Sequence, residues 1–360
     1  MISLSIGATM HIVVSGWFWG QPNTGSGQYL HRLLPHLAAL NAPTGTADAA
    51  DSRGRAETPD PAQRADVQNT IKYTLLLPRK PVESRQGDAL AQIASDLTTV
   101  VSPPPPLPRQ LAKVYWEQVT VPRRARSLGA DLLLVPYWAA PLWQPTPTAV
   151  TVHDLIPLLL PIYRGSWPGR LYTRLVSIST RRCAAVLTVS EASRRDIILH
   201  LGMPGDRVYA VHHGPNREDG APGRQEGEAP FSRERRVARK YSLPERYFLY
   251  LGGFDVRKNV AGIVHAYRRY LDLGGDPAVK LVVAGKLPLS HTAFFPDPKR
   301  LVRQLELTDH VHFIGWVEEE DKAPLYAAAA AFLFPSLYEG FGMMLLEAMD
   351  AGSPVITSSE

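Results

Sequence analysis

Short apolar runs alternate along this chain with longer segments of helical periodicity. His11–Ser15 reads as a buried strand, and Tyr29–Leu40 follows with leucines at 30, 33, 34, 37 and 40, the spacing of one helix face. Tyr73–Leu77, Asp131–Val135, Ala149–Val152 and Ala184–Val189 are further buried-strand patterns, the last leading into a helix that starts at Ser190. The alternation restarts at Tyr247–Leu251. It continues through helix Val260–Tyr270, strand Lys280–Ala284, helix Pro298–Leu307, strand Val311–Ile314, helix Lys322–Ala330 and strand Ala331–Phe334. A helix from Met343, stopped by Ala351-Gly352 and Pro354, and a strand Pro354–Thr357 complete the run. Strands alternating with helices predict parallel sheets in doubly wound α/β domains.

Two segments break the pattern. Residues 41–70 are rich in Ala, Asp, Thr, Pro and Arg without periodicity and read as a surface insertion. Residues 215–240 are rich in Gly, Pro and charge and read as a linker. The expected organisation is a first domain over 1–214, the linker, and a second domain over 241–360. With 45% hydrophobic residues, a chain of 360 residues has enough apolar surface for two cores. No apolar run reaches the roughly 18 residues of a membrane span, and the start Met1-Ile2-Ser3-Leu4 lacks a basic n-region, which argues against a signal peptide. The single cysteine, Cys183, excludes an internal disulfide framework and a Cys-based zinc site and fits a reducing cytoplasm. Against a net charge of +5, arginines cluster at Arg123-Arg124-Ala125-Arg126, at Arg181-Arg182 and from Arg233 to Lys240. Such runs suit phosphorylated ligands or anionic lipid, or are simply solvated faces. No aromatic-interleaved motif accompanies them, so nucleic acid is not an expected partner.

The densest chemistry reads Phe334-Pro335-Ser336-Leu337-Tyr338-Glu339-Gly340-Phe341-Gly342-Met343-Met344-Leu345-Leu346-Glu347. A strand ends at Pro335, Gly340 and Gly342 let the backbone approach a ligand, and a helix opens at Met343 whose free amides suit a pyrophosphate. Glu339 in the turn and Glu347 in the helix would reach different parts of one ligand; taken singly, Glu339 is more often a helix cap and Glu347 a solvated helix residue. Four other segments sit at strand ends. Gly20-Gln21-Pro22-Asn23-Thr24-Gly25-Ser26-Gly27-Gln28 follows the first strand; as a dinucleotide fingerprint it fails, because Leu30 stands where the third glycine belongs. His153 closes the strand before Asp154, which orients the histidine or caps the next turn. Arg257 and Lys258, in Gly252-Gly253-Phe254-Asp255-Val256-Arg257-Lys258-Asn259, are adjacent cations able to neutralise a diphosphate, or an exposed basic turn. Gly315-Trp316-Val317 follows another strand.

Taken together, these segments resemble the E-x7-E signature and flanking motifs of retaining glycosyltransferases, most closely glycosyltransferase family 4. The resemblance covers nearly the whole chain and is strongest from Tyr247 to Thr357. It implies the α/β architecture called GT-B: two doubly wound Rossmann-like domains with parallel sheets facing across a cleft. Relatives continue with further helices, so a C-terminally truncated chain and an incomplete second domain are expected. In such enzymes Glu347 would bind the ribose hydroxyls and Glu339 the sugar, supporting its developing positive charge. Lys258, Arg257 and the turn Gly340, Phe341, Gly342, Met343 and Met344 would hold the diphosphate. His153, Gly25 and Gly27 would close the site from the first domain, and Val317 would lie at the base. Many relatives carry an arginine where this chain has Gly253, which leaves Arg257 as its substitute.

The function so implied is transfer of a sugar, with a lean toward mannose, from a nucleoside-diphosphate sugar to a glycan or lipid-linked acceptor. It needs no metal or other cofactor, and an acceptor in lipid would bring peripheral contact with the inner membrane face. The chain carries no Asp-x-Asp pair, which argues against the metal-dependent GT-A type. Two other readings stay open at this level: a non-catalytic nucleotide-sugar-binding scaffold, and a GT-B-like sugar-nucleotide epimerase or hydrolase.

Overall fold

The computed structural model describes residues 9–22, 24–40, 71–80, 97–214 and 230–358. The expected insertion at 41–70 lies outside the described residues. The chain divides into two compact units, Met1–Val211 and His212–Glu360.

In the first unit the elements run β1 (Met10–Ser15), α1 (Gly25–Ala39), β2 (Ile71–Leu77), β3 (Leu97–Val101), α2 (Arg109–Tyr115), a π-helical turn (Trp116–Thr120) and α3 (Val121–Ser127). There follow β4 (Leu132–Val135), β5 (Thr148–Thr151), α4 (Ile156–Leu159), α5 (Trp167–Thr180), β6 (Ala185–Thr188), α6 (Glu191–Leu201) and β7 (Val208–Ala210). The strands form one parallel sheet in the order β3-β2-β1-β4-β5-β6-β7. Successive residues of β1 feed opposite faces. Val13 joins a core with Trp116, Val121 and Ile197, whereas Ile12 and Val14 join one with Leu30, Leu34 and Tyr73. A sheet buried on both faces by helices accounts for its near-continuous apolar strands.

The second unit contains α7 (Pro230–Lys240), β8 (Arg246–Leu251), α8 (Val260–Asp272), β9 (Val279–Ala284), α9 (Pro298–Gln304) and β10 (Val311–Gly315). It continues with α10 (Glu319–Ala327), β11 (Ala331–Phe334), α11 (Met343–Asp350) and β12 (Val355–Thr357). Its parallel sheet has the order β10-β9-β8-β11-β12. Leu249, Val282 and Phe332 face Val237, Leu325 and Ala348 on one side. On the other side Tyr250, Leu281 and Val283 meet Ile263, Tyr267 and Val302.

Two expectations change here. The second half of the expected linker is helix α7: its Val237 is buried, and Arg236 and Lys240 bind Asp321 of α10 at 2.9 and 2.6 Å. Asp321 is fully buried, so burial would raise its pKa. Hydrogen bonds from Lys240 and Tyr241 and the charges of Arg236 and Lys240 more than offset this and hold it below the ordinary value. The glycine loop after β1 is also shorter than expected, because α1 starts at Gly25, capped by Thr24.

In both sheets the strand order reverses once, between β1 and β4 and between β8 and β11. Loops leaving the carboxyl ends of those strand pairs turn to opposite faces and leave a crevice, the usual ligand position in doubly wound sheets.

Candidate functional site

In the second unit, the loops after β8 and β11 meet at the reversal point. Asn259, in the left-handed region at φ +54, accepts from the Gly262 amide to cap α8 and donates to the Pro335 carbonyl at 3.1 Å. The Leu337 amide donates to the Arg257 carbonyl at 2.8 Å, and Arg257 Nη1 donates to the Tyr338 carbonyl at 2.8 Å. The ladder extends past the strands on the other side too. The Gly252 amide donates to the Ala284 carbonyl at 3.1 Å, and the Gly285 amide to the Gly315 carbonyl at 2.7 Å.

This lattice brings three predicted residues together. Lys258 Nζ lies 2.6 Å from one carboxylate oxygen of Glu339, and Arg257 Nη1 lies 2.6 Å from the other. Asp255, a residue the sequence did not single out, stands 3.5 Å from Arg257 Nε. The Lys258 ammonium also lies 5.1 Å from the centre of the Phe334 ring. Side chains of Arg257, Lys258 and Glu339 are only 12%, 13% and 22% exposed, so solvent screens these pairs little. Burial alone would raise the Glu339 pKa; the charges and hydrogen bonds of Lys258 and Arg257 overcome it and hold the carboxyl below its ordinary value. Two positive and two negative side chains make the cluster neutral as a whole.

Three residues after Glu339, Gly342 adopts φ +90 and opens α11 with no side-chain cap. The left-handed conformation is what glycine permits, and the first amides of α11, from Met343 onward, lack partners inside the helix. Glu347 is half-buried on α11 and accepts from Tyr326 at 3.4 Å. Phe341 packs its ring against His213 at 5.2 Å and His212 at 6.0 Å. Val317 is 4% exposed and belongs to the core with Tyr326 and Ala348, so its side chain cannot line a base pocket. Its neighbour Trp316 is 65% exposed. The alternation of side chains past the strand end buries one member of the pair and exposes the other.

In the first unit, His153 follows β5. Its ring meets Tyr29 edge-on at 4.8 Å, and its carbonyl accepts from Ser193 Oγ at 3.1 Å. Asp154 caps the turn of α4 through the Ile156 amide at 3.0 Å, and Ser190 caps α6. Gly25 and Gly27 lie in the first turn of α1 rather than in a loop. The Gly27 amide is occupied by Thr24 Oγ1 at 3.1 Å. A Cβ at Gly27 would stand 2.0 Å from the Gln21 carbonyl oxygen, so this glycine permits a close backbone approach within the turn itself.

Among the described residues no group of three or more His, Cys, Asp or Glu side chains is placed to hold a metal ion. Nor, among them, is any helix long and apolar enough to cross a membrane.

Two family models match the chain: "Glycosyltransferase Family 4" over residues 62–219 and "Glycosyl transferases group 1" over 232–360. O-antigen chain mannosyltransferase B of Escherichia coli is 31% identical over 210 residues, covering 58% of this chain and 52% of that protein. O-antigen chain mannosyltransferase RfbU of Salmonella typhimurium is 28% identical, covering 58% of this chain and 51% of that protein. The chain thus spans about half the length of these relatives. Among solved structures, Anabaena HepE in complex with UDP and glucose matches with a TM-score of 0.58 at 16% identity, covering 97% of this chain and 81% of that one. WaaG, a glycosyltransferase involved in lipopolysaccharide biosynthesis, matches with a TM-score of 0.56 at 16% identity, with the same coverage. These structural likenesses concern the fold, and with the two doubly wound sheets they make it GT-B.

Proposed function

Because the chain belongs to glycosyltransferase family 4, we propose that it transfers a hexose from a nucleoside-diphosphate sugar to a glycan or lipid-linked acceptor. The observation that carries this reading is Glu339, held between Arg257 and Lys258 beside the uncapped start of α11 at the reversal point of the second sheet. In the proposed reaction the bond from the sugar's anomeric carbon to the diphosphate breaks. A bond to the acceptor oxygen forms on the same face, and the acceptor's proton passes to the departing diphosphate oxygen. Lys258, Arg257 and the amides of Gly342, Met343 and Met344 stabilise the negative charge that develops, as preorganised donors. Glu339 holds the sugar and supports its positive charge, and Glu347 binds the ribose. The side-chain cations supply the charge compensation, so transfer is proposed to need no divalent metal and to persist in a chelator. The mannosyltransferases among the relatives support mannose as the sugar, and GDP is proposed as its carrier.

Calorimetric titration with GDP, UDP and ADP tests the donor site. Selective binding of GDP is the expected result, and indifference to all three would overturn the reading. Glu347→Ala should abolish that binding. Lys258→Ala should lower kcat by at least about 100-fold while weakening the nucleoside far less, since it acts on charge that appears during bond breaking.

A further inference from the structure

The outer face of α5 carries chemistry that neither the sheet nor the proposed transfer uses. Trp167, Leu171 and Ile178 stand on it at 75%, 54% and 41% exposure, while Val176, Ser179 and Thr180 face inward. Arg170 and Arg174 share the exposed side, Arg164 precedes the helix, and Arg181 and Arg182 follow it. The last two donate to the carbonyls of Leu201 and Leu142. Among the described residues none of the five arginines forms an ion pair, and from Leu132 to Ser190 the one carboxylate in the sequence is Asp154. Near Arg182 lies a groove of about 1010 Å³ lined in part by Leu142, Trp143 and Leu175, with Trp143 46% exposed.

Tryptophan and leucine on one side of a helix, flanked by arginines without counter-charge, match the interfacial layer of a membrane whose headgroups are anionic. A nucleic acid would leave the apolar stripe unmatched. A second copy docked symmetrically would set arginines against arginines, because a twofold contact pairs a patch with itself. We propose that α5 docks this protein on an anionic phospholipid bilayer, with Trp167, Leu171 and Ile178 entering the interface and Arg164, Arg170 and Arg174 meeting lipid phosphates.

The proposal is independent of the transfer reaction and is tested without substrate, by co-sedimentation with vesicles. Vesicles of equimolar phosphatidylglycerol and phosphatidylcholine should bind the protein, and pure phosphatidylcholine vesicles should bind it at least about tenfold more weakly. The double variants Trp167→Ser/Leu171→Ser and Arg170→Gln/Arg174→Gln should each lose about tenfold in partition. Added salt should weaken the parent but have less effect on the arginine variant. Leu199→Ser, which removes an exposed leucine from α6, should partition like the parent. Three results would overturn the proposal: equal binding to both vesicle types, equal loss in Leu199→Ser, or no vesicle binding with a dimer that Trp167→Ser/Leu171→Ser dissolves.

Discussion

Glu339 faces Arg257 on one carboxylate oxygen and Lys258 on the other, so the cations proposed to hold a diphosphate already face negative charge. An incoming diphosphate must share or displace that partner. Glu339→Gln is therefore expected to tighten GDP by roughly threefold to tenfold, since removing a charge near the anion lowers repulsion. The same change should slow sugar transfer at least about 100-fold, because the glutamate's proposed role is with the sugar. Weaker GDP binding in the calorimeter would instead make Glu339 an organiser of the two cations. A pH dependence follows from its depressed pKa. Such a carboxylate contributes stability that is fully present above the unfolded value of 4.5 and is lost progressively as the pH falls from there through the lower folded value. The stability advantage of the parent over Glu339→Gln, about 2 kcal/mol, should stay level down to pH 4.5 and shrink below it, as read by urea unfolding at stepped pH. The sequence placed Glu339, Lys258 and Arg257 at strand ends through their motifs. It did not reveal Asp255 or the binding of Arg257 to the Tyr338 carbonyl, because both depend on how two distant loops meet.

At the scale of the element, the start of α11 depends on one backbone angle. Gly342→Ala would place a Cβ in the left-handed region at φ +90 and 3.1 Å from Leu345 Cδ1. A loss of about 1–2 kcal/mol is expected, with weaker GDP binding through displacement of the Met343 and Met344 amides. Unchanged stability and affinity would show that the helix start tolerates strain. Helix α7 depends on a charge it does not carry itself. Asp321→Asn should leave Arg236 and Lys240 without their partner and speed tryptic cleavage in α7, with little effect on β8 or β9. In the sequence, the basic run from Arg233 to Lys240 looks like a solvated patch, since its buried partner lies 81 residues beyond Lys240. Helix α5 was not among the predicted elements, although Trp167, Leu171, Leu175 and Ile178 recur at helical spacing, and part of that stripe lies on its exposed side.

For the molecule as a whole, alternation of strands and helices was enough to indicate two doubly wound parallel sheets, because the central strands are short and mostly apolar between longer helical segments. The edges were less legible. β3 carries two threonines and β7 has three residues, too short for any periodicity to register. Strand order was not legible either: where the order reverses in each sheet is decided by crossover connections, not by local pattern. A ligand bound at the reversal point should stabilise the folded chain by mass action. GDP at 100 times its dissociation constant should add about 2.7 kcal/mol, seen as a higher unfolding temperature, and Glu347→Ala should cancel the rise. The backbone bonds that continue beyond β8, β9, β10 and β11 have a further consequence in time. The amides of Gly252, Gly285 and Leu337 lie in loops yet donate to neighbouring backbone, so they should exchange with deuterated solvent as slowly as strand amides. A substrate reaching these loops would then find them already ordered, and its arrival would be limited by encounter and desolvation rather than by waiting for the backbone to settle.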